Sequence, residues 1–225
     1  PDACGPCLDR TEAWLRRMVG TLEPQSLARA VELQYGKDRT FSVPILTMCA
    51  LDGRLGDAGS AWRLVRPLPF ELAVFPHRLF KWLRLPVVSY ALPALIAIGQ
   101  VGYAHRKPCN PLVRAIRRLS IAKTLRVLGT LQPENGGFLE AAPLTAFVVM
   151  SLAAAGHCEH RVVAQGVEFL VASIREDGSW PIDTNLATWG TTLSIDALSA
   201  GGIEKSMSGS EQQGQLDWLL SCQYR

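Results

Sequence analysis

Three places in the sequence combine side-chain types and spacing that could do chemistry: Cys4-Gly5-Pro6-Cys7, His157-Cys158-Glu159-His160 and Asp183-x-Asn185. The first has the spacing of a dithiol redox centre, where a helix N-terminus lowers the thiol pKa. That chemistry needs a preceding strand, and Cys4 lies too near the start of the chain to have one. A loop before a helix over Thr11 to Val19 is the expectation instead. The second place offers zinc ligands, but neighbouring residues at a helix end diverge, and tetrahedral zinc draws its ligands from separated segments. Since Gly156 stops the helix before it, the segment reads as a polar loop, and no metal is expected. The third resembles half of a Mg²⁺–diphosphate site. One carboxylate and one amide are too few for that ion, so Asp183 and Asn185 read as the cap of a following helix.

Chemistry must therefore come from what the larger elements enclose. Gly136-Gly137-Phe138 lies 42 positions before Gly178-Ser179-Trp180, and Leu128 lies 42 before Leu170. The apolar stretches after the two turns match at a spacing of 46, Thr145 to Leu152 against Thr191 to Leu198. A period of that size with one turn signal in each copy indicates stacked supersecondary units. Each copy reads as an outer helix (Arg118–Leu131, Arg161–Ile174), a glycine–aromatic turn, and an inner helix (Leu144–Ala155, Thr188–Ala200). No segment alternates as a strand would, so the fold class is all-α, an α/α barrel (toroid) of helix-pair repeats.

The 225 residues and 48% hydrophobic content suffice for a sizeable core, and a net charge of +3 gives no argument for nucleic acid. Charge is unevenly placed. From Arg106 to Arg126 there are seven basic side chains and no acid, which reads as a solvated helix face or a surface for anionic lipid or a partner. Six scattered cysteines follow no disulfide framework and suit free thiols in a reducing compartment.

Elsewhere, Ala28 to Tyr35 reads as a helix. Tyr35 to Phe41 reads as a polar loop closed by Ser42-Val43-Pro44, and Ile45 to Leu51 as a segment buried on all sides. Pro67-Leu68-Pro69 breaks the chain before Phe70-Glu71-Leu72. Leu85 to Ala104 holds 20 residues without a charge, the length of a membrane span. Pro86, Pro93, Ser89, Tyr90 and Gln100 argue instead for a buried inner helix, which touches neighbours on most faces and loses its polar stripe. Ser206 to Gly214 reads as a polar linker, and Leu216 to Leu220 starts a further outer helix.

The turns resemble the QW repeat of triterpene cyclases, which has a Gly, an aromatic–Leu pair, a Gln and Gly-x-Trp. Gly166, Phe169-Leu170, Gly178 and Trp180 form one copy. Gln132, Gly136 and Phe138 form another, and Trp218 with Gln223 begins a third. Ile174 stands where the second copy should carry its Gln. The motif clamps an outer helix to the next turn by aromatic packing and amide hydrogen bonds. With the Pro67–Glu71 segment and the Val87-Val88-Ser89-Tyr90 helix, the order of features over roughly residues 25 to 225 is similar to the N-terminal barrel of squalene–hopene cyclase. The resemblance implies one α/α-barrel domain over 1–225, truncated at both ends, from a two-barrel enzyme.

It also implies a class II cyclase that folds a polyprenoid and cyclises it by a protonation-initiated carbocation cascade in hopanoid biosynthesis. Such chemistry requires a strong acid, a dry cavity and π faces for passing cations. The family's Asp-x-Asp-Asp-Thr-Ala acid motif is absent: its nearest counterpart, Ala141 to Ala146, has no carboxylate. No catalytic residue is therefore expected in this chain, which supplies cavity wall. The candidates are Glu71, Tyr90, Glu140, Pro143, Asp183, Asn185 and Trp189, the last offering a π face. The expected partners are squalene or a related polyprenoid, one leaflet of a membrane approached from the cytoplasmic side, the missing C-terminal barrel, and a second copy as a homodimer. No cofactor and no nucleic acid are expected. Two alternatives stand beside this reading: a non-catalytic helical-repeat module that binds a polyprenoid or protein tail, and a prenyltransferase-type zinc enzyme.

Overall fold

The computed structural model describes residues 5–36, 39–82, 84, 89–202 and 207–222. Among them every regular element is helical, and no strand forms. The helices are α1 (Gly5–Val19), α2 (Pro24–Tyr35), α3 (Arg39–Leu51), α4 (Ala58–Leu64), α5 (His77–Trp82), α6 (Leu92–His105), α7 (Pro111–Leu131), α8 (Ala142–Ala154), α9 (Arg161–Ala172), α10 (Ala187–Ala200) and α11 (Gly209–Ser221). Short 3₁₀ turns cover Phe70–Val74, Ser89–Ala91 and Phe138–Glu140. The chain divides into two compact units, residues 1–182 and 183–225.

Helix α6 organises the first unit. Its sequence from Leu92 to Gly99 is uncharged and apolar, and most of the helix is buried. Ile98 and Val101 enter a core with Val43, Leu46, Trp62 and Val65. Ile96 and Ala97 enter a second core with Leu128, Phe138, Val148, Leu152 and Val162. Burying a side chain such as Ile96, at 0% exposure, contributes about 2 kcal/mol. The uncharged run thus becomes a helix packed against protein on opposite sides, and Pro93 in its first turn fits the one place where a missing N–H costs nothing. No helix among the described residues is long and apolar enough to cross a membrane. The run's first part, residues 85–88, lies outside the described residues.

Two polar side chains of α6 bond to α7, while the buried Gln100 Oε1 has no hydrogen-bond partner. Gln100 Nε2 donates to Thr124 Oγ1 at 2.9 Å, and Tyr103 donates its hydroxyl to the carbonyl of Arg114 at 3.1 Å. Gly99 is required by a close approach: a Cβ there would stand 2.7 Å from Phe70 Cβ and 3.1 Å from the Leu68 carbonyl oxygen.

Three local expectations are corrected. The segment expected as a loop before Thr11 is already helical from Gly5; Cys4 lies outside the described residues. The expected polar loop up to Pro44 is shorter, because α3 begins at Arg39 and carries Pro44 in its second turn. Proline there removes one ladder hydrogen bond, and burial of Val43, Pro44, Leu46, Thr47 and Ala50 offsets that loss. The expected polar linker through Gly214 is instead mostly the start of α11. Ser208 accepts from the Glu211 N–H while the Glu211 carboxylate accepts from the Ser208 N–H at 2.8 Å, a capping box. Four polar residues in a row hid that start signal.

The second unit is described by α10 and α11, neither of which has a buried residue. Ile195, Leu198, Leu216 and Leu219 from the two helices line a shallow depression of about 240 Å³ between them.

Candidate functional site

The two glycine–aromatic turns have one backbone construction. In the first, the Gly136 N–H donates to the Pro133 carbonyl at 3.0 Å, and Asn135 Oδ1 accepts from the Gly137 N–H at 3.1 Å. In the second, the Gly178 N–H donates to the Arg175 carbonyl at 2.9 Å, and Asp177 Oδ1 accepts from the Ser179 N–H at 2.9 Å. Every partner lies 42 positions from its counterpart. Gly136 and Gly178 take φ of 84° and 79°, a region open to glycine at no steric cost. The Ser179 side chain, with the Ser179 N–H adding to it, holds the Asp177 carboxyl below its usual range.

The amide clamp expected at Gln132 is formed, and it reaches farther than the turn. Gln132 is buried at the end of α7, and its Nε2 donates to the Gly136 carbonyl at 2.9 Å and to the Val162 carbonyl at 3.0 Å. One amide thus ties the end of α7 to the turn after it and to the first turn of α9. Phe138, 1% exposed, is held in place by its N–H donating to Thr145 Oγ1 at 2.9 Å. The Phe169 ring lies against Gly137, where any Cβ would collide with it. In the second copy, Ile174 supplies no amide. There the Trp180 indole N–H donates to the Leu170 carbonyl at 2.7 Å, closing the turn onto the end of α9. Trp218 lies in α11, and Gln223 lies outside the described residues.

The candidate cavity-wall residues fall in both units. In the first, Glu71 sits in the Phe70–Val74 turn, where its Oε1 accepts from Arg117 Nε at 3.1 Å. The two side chains are 16% and 11% exposed, so this is a largely desolvated ion pair. The buried Glu71 Oε2 has no hydrogen-bond partner. Tyr90 is exposed in the Ser89–Ala91 turn.

Glu140 and Pro143 flank the start of α8. Leu139 and Glu140 both adopt positive φ, 53° and 55°, and neither is glycine. Two consecutive left-handed residues store of order 1–3 kcal/mol each, strain that gathers at sites shaped for function. Leu139 turns a 60% exposed side chain to solvent there.

In the second unit, Asn185 Oδ1 accepts from the Ala187 N–H at 3.0 Å just before α10, whose N-cap residue is Leu186, with no side-chain cap. Asp183 is half-buried, and Trp189, in the first turn of α10, is 63% exposed.

Other reactive groups are accounted for locally. His160 Nδ1 accepts from the Val162 N–H at 3.3 Å as the cap of α9, and the Cys158 thiol donates to the Ala153 carbonyl at 3.5 Å. No group of three or more His, Cys, Asp or Glu side chains able to hold a metal ion occurs among the described residues. Burial raises the Cys49 thiol pKa, with Asp52 adding to the effect.

Two polar features escaped the sequence reading: the Glu71–Arg117 pair and the Val162 acceptor of Gln132. Arg117 shares the α7 face of Ser120, Thr124 and Leu128, a buried stripe on which a cation requires a partner. A backbone carbonyl such as that of Val162 leaves no mark in the sequence. No protein-family model matches the chain, and no curated protein or solved structure matches it.

Proposed function

We propose that this chain is part of a class II triterpene-cyclase-like enzyme. Its helix-pair repeats belong to an α/α barrel and wall a cavity that folds squalene or a related polyprenoid. The observation that carries the reading is the duplicated turn. A buried Gln132 amide joins α7, the turn and α9, with Phe138 and Trp180 at equivalent places in the two copies. This is the construction that the QW-type pattern implies. The strained Leu139–Glu140 backbone before α8 supports a shaped loop beside the proposed cavity.

Within the chain the role is containment, not proton donation. The segment from Ala141 to Ala146 has no carboxylate to serve as the initiating acid, so that group belongs to the remainder of the proposed enzyme. Trp189 offers an indole face to a passing cation, and Glu71, Tyr90, Glu140, Pro143, Asp183 and Asn185 contribute wall. The exposed Leu112, Ile116 and Leu119 on α7, with Arg118, Lys123 and Arg126 beside them, support attachment to one leaflet of an anionic membrane.

The missing acid equally favours a second reading, a helical-repeat module that grips a polyprenoid without transforming it. Incubating the full-length gene product with squalene and analysing the extract by mass spectrometry separates the two. A cyclic C30 hydrocarbon or alcohol is the expected result. Polyprenoid binding by folded protein without any cyclic product rejects the cyclase in favour of the binding module.

A further inference from the structure

The first unit carries a cavity of about 240 Å³ where the segment after α4 passes the end of α6 and the start of α7. Trp62 and Val65 give it an apolar wall, and Arg66, Arg106, Lys107 and Arg117 all line it. Four cations around so small a volume repel one another, and the repulsion grows as water is displaced. Only Arg117 has a carboxylate in contact, Glu71 at 3.1 Å. Neutral groups position two of the others. Arg106 Nη1 donates to the Trp62 carbonyl at 3.3 Å, and Lys107 Nζ stands 4.0 Å from the centre of the Tyr103 ring. These contacts hold the cations in place without cancelling their charge. No acid pairs with Arg66, Arg106 or Lys107 among the described residues.

We propose that this cavity binds the phosphate head of an organic phosphate, as a mono- or diphosphate. Guanidinium forks match the oxygens of a tetrahedral phosphate, and a lysine adds a compact point charge. The volume is below the roughly 300 Å³ at which pockets for whole small molecules begin, so the site takes a head group and the carbon next to it, against Trp62 and Val65. The assignment is independent of the polyprenoid reading. Two sources share this chemistry, a soluble organophosphate and the head group of an anionic lipid.

The test is titration calorimetry of the full chain with pyrophosphate and with glycerol 3-phosphate. Alongside it runs co-sedimentation with phosphatidylcholine vesicles, with and without phosphatidate. The Arg66→Gln/Lys107→Gln variant is compared with Arg161→Gln/Arg175→Gln, which removes the same charge from exposed positions outside the cavity. Loss of two charge-assisted contacts weakens binding by roughly tenfold or more in the cavity variant, with the Arg161/Arg175 variant close to the parent. Cavity-dependent binding of the soluble phosphates alone assigns a free metabolite. Cavity-dependent binding of phosphatidate vesicles assigns a lipid head. Equal effects in the two variants, or no binding of any probe by folded protein, overturn the proposal. Arg66→Gln alone, at an exposed side chain, repeats the comparison if the double variant loses its helical circular dichroism.

Discussion

Gln132 joins three segments, because both acceptors of its amide N–H groups are backbone carbonyls in different elements. Truncation at Gln132→Ala removes two buried hydrogen bonds, one to the Gly136 carbonyl and one that supplements the helical bond of the Val162 carbonyl in α9. A loss of about 2–3 kcal/mol follows, read as a lower urea midpoint at unchanged slope. A second effect at this scale depends on pH. Partial burial of His157, with His160 nearby adding positive charge, lowers its pKa below the ordinary value. The unfolded chain therefore takes up the proton first, and stability is full above about pH 6.5 and falls as the pH drops through that value. The ring is mostly solvated, so the change is well under about 1 kcal/mol. Thermal melts between pH 7 and 5 check it, and His157→Gln should flatten the dependence.

At the scale of elements, α6 shows what an apolar sequence can and cannot specify. Its lack of charge announces burial, and the side chains of Ile96, Ile98 and Val101 are at most 2% exposed. Its partners are set by small residues that hydropathy does not register. Gly99 lets the Phe70 turn approach the helix backbone, and Gly99→Ala forces Phe70 and Leu68 apart. Overpacking of this kind costs about 1–3 kcal/mol, visible as a lower melting temperature with the helical signal retained. The helices of the two repeats were legible within about two residues at each end, except that α7 starts at Pro111, seven residues before the expected Arg118. Glycine–aromatic turns punctuate the helix ends and not the start of α7. The starts of α3 and α11 were not. Pro44 looked like a boundary when it is an interior residue held by packing, and the Ser208–Glu211 capping box sits in a polar run that reads as linker. At the candidate site, the clamp at Gln132 was readable from residue types. The Glu71–Arg117 pair was not, because nothing local connects residues 46 apart in sequence.

At the scale of the whole molecule, burial is unequally distributed. The first unit holds both apolar cores, whereas α10 and α11 in the second have no buried residue. Local opening free energy follows buried apolar contact. Amide hydrogens of α10 and α11 therefore exchange faster than those of α6 and α8 by about two orders of magnitude or more, a difference that hydrogen-exchange mass spectrometry resolves. Protection of the two pairs at the same level would contradict this ordering. The Gln132 contact also bears on how such a chain can change over generations. Its amide is completed by a carbonyl 30 residues farther on, so one copy of the repeat owns the donor and the next owns the acceptor. A lineage that gains or loses a whole period keeps donor and acceptor in step. An insertion or deletion that shifts the start of α9 relative to Gln132 parts them and leaves a buried amide behind. Heritable change in length is therefore channelled into complete repeats or into the exposed turns between them.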